Sequence, residues 1–226
     1  TAVPSVRAPK SVEVALECIR PDVTIRYTLD GKEPDASSRI YSAPLEISCE
    51  DTVKAATFFD DGRKAGKTLT LPIIRNEATA CRITGNADAA PILTNGVRGS
   101  LRQSDFEWTA WTGKNVDFTI ELGDSKQISQ VEVGTLTNYC MGVHKPKSFE
   151  VEVSADGENF VTVAKRVFPD DEIFVDGNFV EDIVLGFEPV KASYIRISVG
   201  SAGKCPSNHV RPGMDSKVCL DEVMVR

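Results

Sequence analysis

The chain has 226 residues, 41% of them hydrophobic and 26% charged, with a formal net charge of −7. That length accommodates two domains of unequal size, each with its own core, at the composition of an ordinary soluble globular protein. The acidic balance repels phosphate backbones and anionic lipid, arguing against nucleic acid and membrane as partners while leaving neutral sugars open.

In chain order, Thr1-Ala-Val-Pro-Ser5 reads as an inter-domain linker, so the chain is expected to be a piece of a longer protein. Period-two alternation then marks strands over 12–16, 24–29, 45–47, 52–59 and 68–74. Turns at Arg20-Pro21-Asp22, Asp30-Gly31-Lys32 and Asp60-Asp61-Gly62 separate them. This density of short strands describes a small immunoglobulin-like sandwich. A boundary near Arg75-Asn76-Glu77 divides the chain into 1–76 and 77–226. Beyond it, strands are expected over 117–122, 128–136, 148–154, 161–168, 179–185, 194–198 and 220–225. The long loops 87–116 and 199–218 lie between them, and such loops on an antiparallel scaffold carry binding. No segment has an amphipathic helical pattern, so the fold class is all-β.

The run Thr24-Ile-Arg-Tyr-Thr-Leu-Asp-Gly-Lys-Glu-Pro-Asp35, then Ser38-Arg-Ile-Tyr-Ser-Ala-Pro-Leu45 and Thr52-Val-Lys-Ala-Ala-Thr57, resembles the immunoglobulin-like C-terminal domain of chitobiases and β-hexosaminidases. The second half resembles the discoidin fold, also called coagulation factor 5/8 type C, and the family 32 carbohydrate-binding modules. The residues carrying that resemblance are Leu93 to Ser100, Trp108-Thr-Ala-Trp-Thr-Gly113, Asp117-Phe-Thr-Ile-Glu-Leu-Gly123, Pro146 to Phe160, Tyr194-Ile-Arg-Ile-Ser198 and Leu220-Asp-Glu-Val-Met-Val225. The fold this implies for 77–226 is a jelly-roll β-sandwich. Together the two resemble the tails of bacterial family 20 β-N-acetylhexosaminidases, and less closely those of α-fucosidases.

Glycoside hydrolysis needs two carboxyls flanking the scissile bond. The two Asp-Glu dipeptides, Asp171-Glu172 and Asp221-Glu222, lie in a charged turn and at the start of a terminal strand, outside any catalytic motif. Neither a GxSxG nucleophile elbow nor a phosphate-cradling glycine loop is present. The chain is therefore expected to be catalytically inert.

A sugar presents a C–H face for an aromatic ring and hydroxyls for fixed polar partners. In discoidin-like folds the ligand sits among loops at one end, which here hold 104–111, 137–147 and 202–216. Tyr139 is the expected stacking residue, equally readable as a packed loop tyrosine. Of the tryptophans, Trp111 is expected to be buried and Trp108 exposed and sugar-binding. His144 and His209, the only histidines, both fall in these loops, and a neutral imidazole donates and accepts at once. Asn138, Asn208 and Arg211 complete the set as hydroxyl partners.

The family resemblance also implies a structural calcium, with Asn95 and Glu222 in the ligand positions; calcium wants six to eight oxygens. It further implies a Cys81–Cys219 bridge, with Cys18–Cys49 in the first domain and Cys140–Cys205 left over, one of 15 possible connectivities. Cys140-x-x-x-His144 and Cys205-x-x-x-His209 repeat one spacing, which converged loops could turn into a Cys2His2 zinc site. Neither arm has conventional finger spacing, so disulfides or free thiols are favoured and zinc is not expected.

The resulting expectation is a monomeric carbohydrate-binding tail of a glycoside hydrolase, secreted, periplasmic or on a bacterial cell surface. It would hold a parent catalytic domain on glycans ending in galactose or N-acetylhexosamine. The rivals are a spacer without a sugar site and a lipid-binding module with Tyr139, Met141 and Val143 as an apolar spike.

Overall fold

A computed structural model describes residues 1–8, 10–85 and 90–226; the stretch 87–89 of the expected 87–116 loop lies outside them. The first 73 residues build two small sheets. One joins β1 (Ala2–Pro4), β2 (Val12–Val14) and β5 (Leu45–Ile47). The other orders β4 (Arg39–Ile40), β3 (Thr24–Thr28), β6 (Asp51–Phe58) and β7 (Leu69–Ile73) as β4-β3-β6-β7. Val12, Val14, Ile47, Val53, Ala55 and Ile73 meet between the sheets, with Tyr27 and Tyr41 packed at their edge. The Tyr41 hydroxyl accepts the Leu16 N–H at 3.1 Å, tying a loop to the sandwich wall. Thr1 to Ser5 is not a free linker. Its residues pair antiparallel with β2, Ala2 opposite Val14 and Pro4 opposite Val12. An edge strand needs hydrogen bonds along one side only, so Pro4 is tolerated there.

The second half forms one seven-stranded sheet wrapped around a single core. Its strands are β8 (Arg82–Gly85), β9 (Thr109–Thr112), β10 (Val116–Asn138), β11 (Ser148–Ser154), β12 (Val161–Val167), β13 (Asn178–Gly200) and β14 (Lys217–Val225). The order is β12-β11-β13-β10-β14-β9, with β8 also on β10. Four expected strands are really two: 117–122 and 128–136 are both β10, and 179–185 and 194–198 are both β13. Gly123-Asp124-Ser125 looks like a hairpin turn but is an irregularity inside β10, where pairing jumps from Glu121–Tyr194 to Lys126–Ala192. A second shift follows between Ile128 and Gln130. Because side chains alternate with period two, this shift reverses the phase. Val116, Phe118, Ile120, Leu122 and Ile128 point inward on even numbers, then Val131 and Val133 on odd ones. The one α-helix among the described residues, α1 (Asp170–Ile173), is a single turn that drops Ile173 into the core.

The joint between the halves is polar and specific. Ile74 N–H donates to Gly96 O at 2.7 Å, Arg75 reaches Lys10 O at 2.7 Å, and Val97 packs into the first core. Arg98 projects from the same loop onto β14, donating through Nε to Asp221 at 2.9 Å and pairing with Asp182 on β13. Asp221 is completely buried and also accepts the Gly99 N–H at 2.8 Å. Gly134 must be glycine, because a Cβ there would overlap both the Asp221 carboxylate and the Arg98 guanidinium. Removing one member of a buried pair strands the other charge, at about 3–5 kcal/mol. Arg98→Ala is therefore expected to cost that much in urea unfolding, with Asp182→Ala much milder, since the Asp182 side chain is 40% exposed.

Candidate functional site

Two loops converge at one end of the second sandwich. At the end of β10, the Asn138 side chain accepts the Met141 N–H at 3.2 Å and caps a 3-10 turn, Tyr139–Met141. Gly142 then takes a left-handed conformation, φ 69°, which a side chain would strain, and the chain reverses so that Val143 pairs back with Asn138. His144 N–H next donates to Lys217 O at 2.8 Å, stitching this loop onto β14. The second loop, 201–216, folds on itself through Cys205 N–H to Met214 O and Gly213 N–H to Cys205 O, both 2.9 Å. Arg211 joins the two, its Nε donating to Cys140 O at 2.7 Å.

Six of the seven sugar-site candidates are brought together here, but not all in the roles expected. Tyr139 is half-buried, with its ring centroid 4.0 Å from that of His209 and its hydroxyl 3.5 Å from Asn208 O. His144 is completely buried and His209 is 4% exposed, so neither offers its ring to a solvent-borne sugar. Their Nε2 atoms face each other at 3.1 Å. Burial first, then His209, pushes the His144 pKa down to about 4, so its imidazole is neutral near pH 7. Asn138, Asn208 and Arg211 keep access to solvent.

Trp108 is not exposed. At 6% it is as buried as Trp111, packing with Leu136, Val143 and Cys219 and donating Nε1–H to Ser100 O at 2.9 Å. A bulky ring on a loop that folds back over the sheet has apolar surface to cover. The exposed aromatic of that loop is Phe106, at 80%, in clefts between the loop and the first sandwich. Val143 is fully buried too, which removes the third member of the expected lipid spike.

The open surface beside these loops is a cleft of about 480 Å³ lined by Leu101, Arg102, Gln103, Ser104, Asn138 and Met141. Of its 101–104 wall, Ser104 falls in the 104–111 loop expected at the binding end, while Leu101, Arg102 and Gln103 lie just before it in the long 87–116 loop. Its one sequence signal was a polar run, Arg102-Gln-Ser104, flanked by an unexplained Leu101.

Asn95 and Glu222 both lie at the joint, where their side-chain oxygens accept N–H donors. Asn95 donates to Ala2 O at 2.9 Å and to Glu107 at 3.0 Å, and its Oδ1 accepts Val97 N–H at 2.9 Å. The Glu222 carboxylate accepts from Gly96 N–H at 2.8 Å and Asn76 Nδ2 at 3.1 Å. With their oxygens turned to N–H donors, these side chains as arranged form no cage for calcium. The six cysteines are all free thiols, so none of the three bridges is formed. Cys81 donates to Glu77 O and Cys49 to Asp51, while Cys219 lies under Trp108.

The strand order and loop placement are those of an antiparallel discoidin-type sandwich behind an immunoglobulin-like one. The chain belongs to the F5/8 type C domain family, whose model matches residues 77–210, and residues 4–70 match the chitobiase/beta-hexosaminidase C-terminal domain. Among solved structures it is similar to SpGH29, at 17% identity and a TM-score of 0.41 over 67% of this chain, which spans 27% of that protein. It is similar also to chitosan-binding module 1 of a Paenibacillus sp. IK-5 chitosanase/glucanase, with 18% identity, TM-score 0.41, and 67% and 98% of the two chains covered. A third likeness is the Clostridium perfringens module CpGH89CBM32-5 in complex with GalNAc-β-1,3-galactose, with 16% identity, TM-score 0.38, and 64% and 92% covered. No curated protein matches the chain.

Burial holds the Glu222 carboxyl well above the usual range, against the pull of its two N–H donors. A carboxyl whose folded pKa is raised contributes most below its unfolded value, and that contribution is lost as pH rises toward the folded one. The stability of the wild type minus that of Glu222→Gln should therefore fall as pH rises above about 4, the unfolded carboxyl's range. Urea titrations at rising pH check this, and a flat or rising difference would contradict it.

Proposed function

We propose that this chain is a non-catalytic carbohydrate-binding tail of a secreted glycoside hydrolase, with residues 77–226 as the binding domain and 1–76 as its partner. The observation that carries this reading is the cleft between 101–104 and 138–141. Arg102, Gln103, Ser104 and Asn138 line it beside the half-exposed side chains of Leu101 and Met141, which supports the reading of these polar groups as hydroxyl partners. Polar donors, one of them the Arg102 guanidinium, next to a modest apolar surface suit a sugar's two faces. Membership of the F5/8 type C family and the chitobiase-type domain ahead of it agree with that use. The ligand class is a glycan ending in galactose or N-acetylhexosamine, and the parent enzyme is a β-N-acetylhexosaminidase. Non-catalytic status is supported by the carboxyls themselves. Asp221 and Glu222 are wholly buried and cannot reach a glycosidic bond, while Asp171 and Glu172 sit on the exposed single-turn α1. No helix among the described residues is long and apolar enough to cross a membrane.

A second reading has its own observation. Trp108 is buried and Tyr139 lies against His209, so the two aromatics first assigned to sugar stacking are packed within the protein. On that reading both halves are spacers docked to a catalytic domain. A glycan array on the folded chain separates the two. Binding to terminal galactose or N-acetylhexosamine, weakened tenfold or more (about 1.4 kcal/mol) in Arg102→Ala and Gln103→Ala, is the expected result. A blank array from folded protein would favour the spacer.

A further inference from the structure

The loop-end cluster contains a second feature that sugar binding does not use. One ring nitrogen each of His144 and His209 and the Cys205 Sγ lie within 4.8 Å of one another, and all three residues are buried. We propose that these three side chains bind a zinc ion that pins the 201–216 loop to the 139–144 loop.

The geometry is close to that of a metal site before the metal enters. Zinc binds imidazole nitrogen at about 2.0–2.1 Å and thiolate at about 2.3 Å, so two nitrogens on a tetrahedral edge stand about 3.3 Å apart. The two Nε2 atoms are 3.1 Å apart. Two imidazoles and one soft thiolate favour zinc over calcium or magnesium. The thiolate also supplies the negative charge that offsets the nearby Arg211. Three protein ligands leave the fourth position to water.

Hydrogen bonding fixes which proton each ring carries. Arg211 N–H donates to His209 Nδ1 at 2.9 Å, so in the neutral ring His209 keeps its proton on Nε2 and donates it to His144 Nε2. His144 then holds its proton on Nδ1, a buried atom that makes no hydrogen bond of normal geometry, and turns an Nε2 lone pair into the cluster. His144 is thus already in the ligating tautomer. His209 is not. Metal binding moves its proton from Nε2 to Nδ1 and gives up the Arg211 N–H bond, while the Arg211 side chain keeps its hold on Cys140 O. The Cys205 thiol loses its proton to solvent as the zinc–sulfur bond forms. One proton is therefore released per zinc, and apparent affinity rises with pH.

The local backbone suits this role. Cys205 and His209 are held in their loop by its own backbone bonds, and His144 is stitched to β14, so the ligands come from two separately braced segments. Cys140, with the same spacing to His144 as Cys205 has to His209, is exposed and outside the cluster. The repeated spacing therefore yields a His2Cys site rather than Cys2His2.

The test is titration of chelator-stripped whole chain with zinc chloride by calorimetry, beside Cys205→Ser and Cys140→Ser, with cobalt(II) as a spectroscopic probe. The expected result is one zinc per chain, about one proton released, a rise in Tm, and a near-ultraviolet thiolate-to-cobalt band. Cys205→Ser should bind at least 100-fold more weakly and lose that band, and Cys140→Ser should behave as wild type. Absence of stoichiometric zinc from folded wild type would overturn the proposal, as would undiminished binding by folded Cys205→Ser. If Cys205→Ser does not fold, the cobalt spectrum of the wild type decides: tetrahedral bands without thiolate charge transfer would also overturn it.

Discussion

Two adjacent carboxylates on the last strand, Asp221 and Glu222, hold the second sandwich and its joint in one arrangement. Both are wholly buried, and each is aimed at a different part of the same loop: Glu222 at the Gly96 N–H, Asp221 at the Gly99 N–H and Arg98. A buried carboxyl oxygen is costly without a partner, so the loop cannot move far without stripping these groups of the donors it supplies. The consequences spread from there. Gly134 has no side chain because Asp221 and Arg98 occupy that space, Asn95 is placed to reach Ala2, and Val97 enters the first core. The direction in which the first sandwich leaves the second is thus fixed by hydrogen bonds that originate on β14.

The loop end is stabilised from the opposite side of the same strand. Lys217, at the start of β14, exchanges backbone bonds with Gly142 and His144, and Trp108 packs beneath against Val143 and Cys219. The loops are consequently not loose arms around a cleft. Their aromatic and imidazole rings are packed together, and the face left open is the shallow one next to Leu101 and Met141. A surface braced in this way would need little rearrangement to take a ligand, because the ordering cost has been met in folding.

Much of the architecture was legible because it rests on local chemistry. Alternation located β2, β3, β5, β6, β7, β11 and β12 to within a residue or two, and the Asp30-Gly31 turn and Tyr41 did what their motif implied. What was missed involves partners far away in sequence. The 122–125 stretch looks like a turn because it is polar and contains glycine, yet β13 pairs on both sides of it. The first five residues look like a linker because they are short and contain proline, yet β2 has a free edge. Trp108 and Trp111 have nearly identical local surroundings, and burial of the first depends on Val143 and Cys219. The seven loop candidates were chosen for chemistry that suits a sugar. Two of them, the histidines, use that same capacity to donate and accept on each other. Asn95 and Glu222 accept N–H donors at the joint, and whether such oxygens face a cation or a donor is a matter of ångströms that spacing does not encode.

The position of β14 also sets an order of events during synthesis. It lies inside the sheet between β10 and β9, and its neighbours bond even to Arg226, through Ser129 and Gln130. On a ribosome, β10 and β13 emerge and can zip together while the slot between β10 and β9 is still empty. The second sandwich therefore cannot close until β14 itself has emerged. Up to that point the strand edges of β10 and β9 and the polar loop around Arg98 lack their partner, and the chain is open to mispairing.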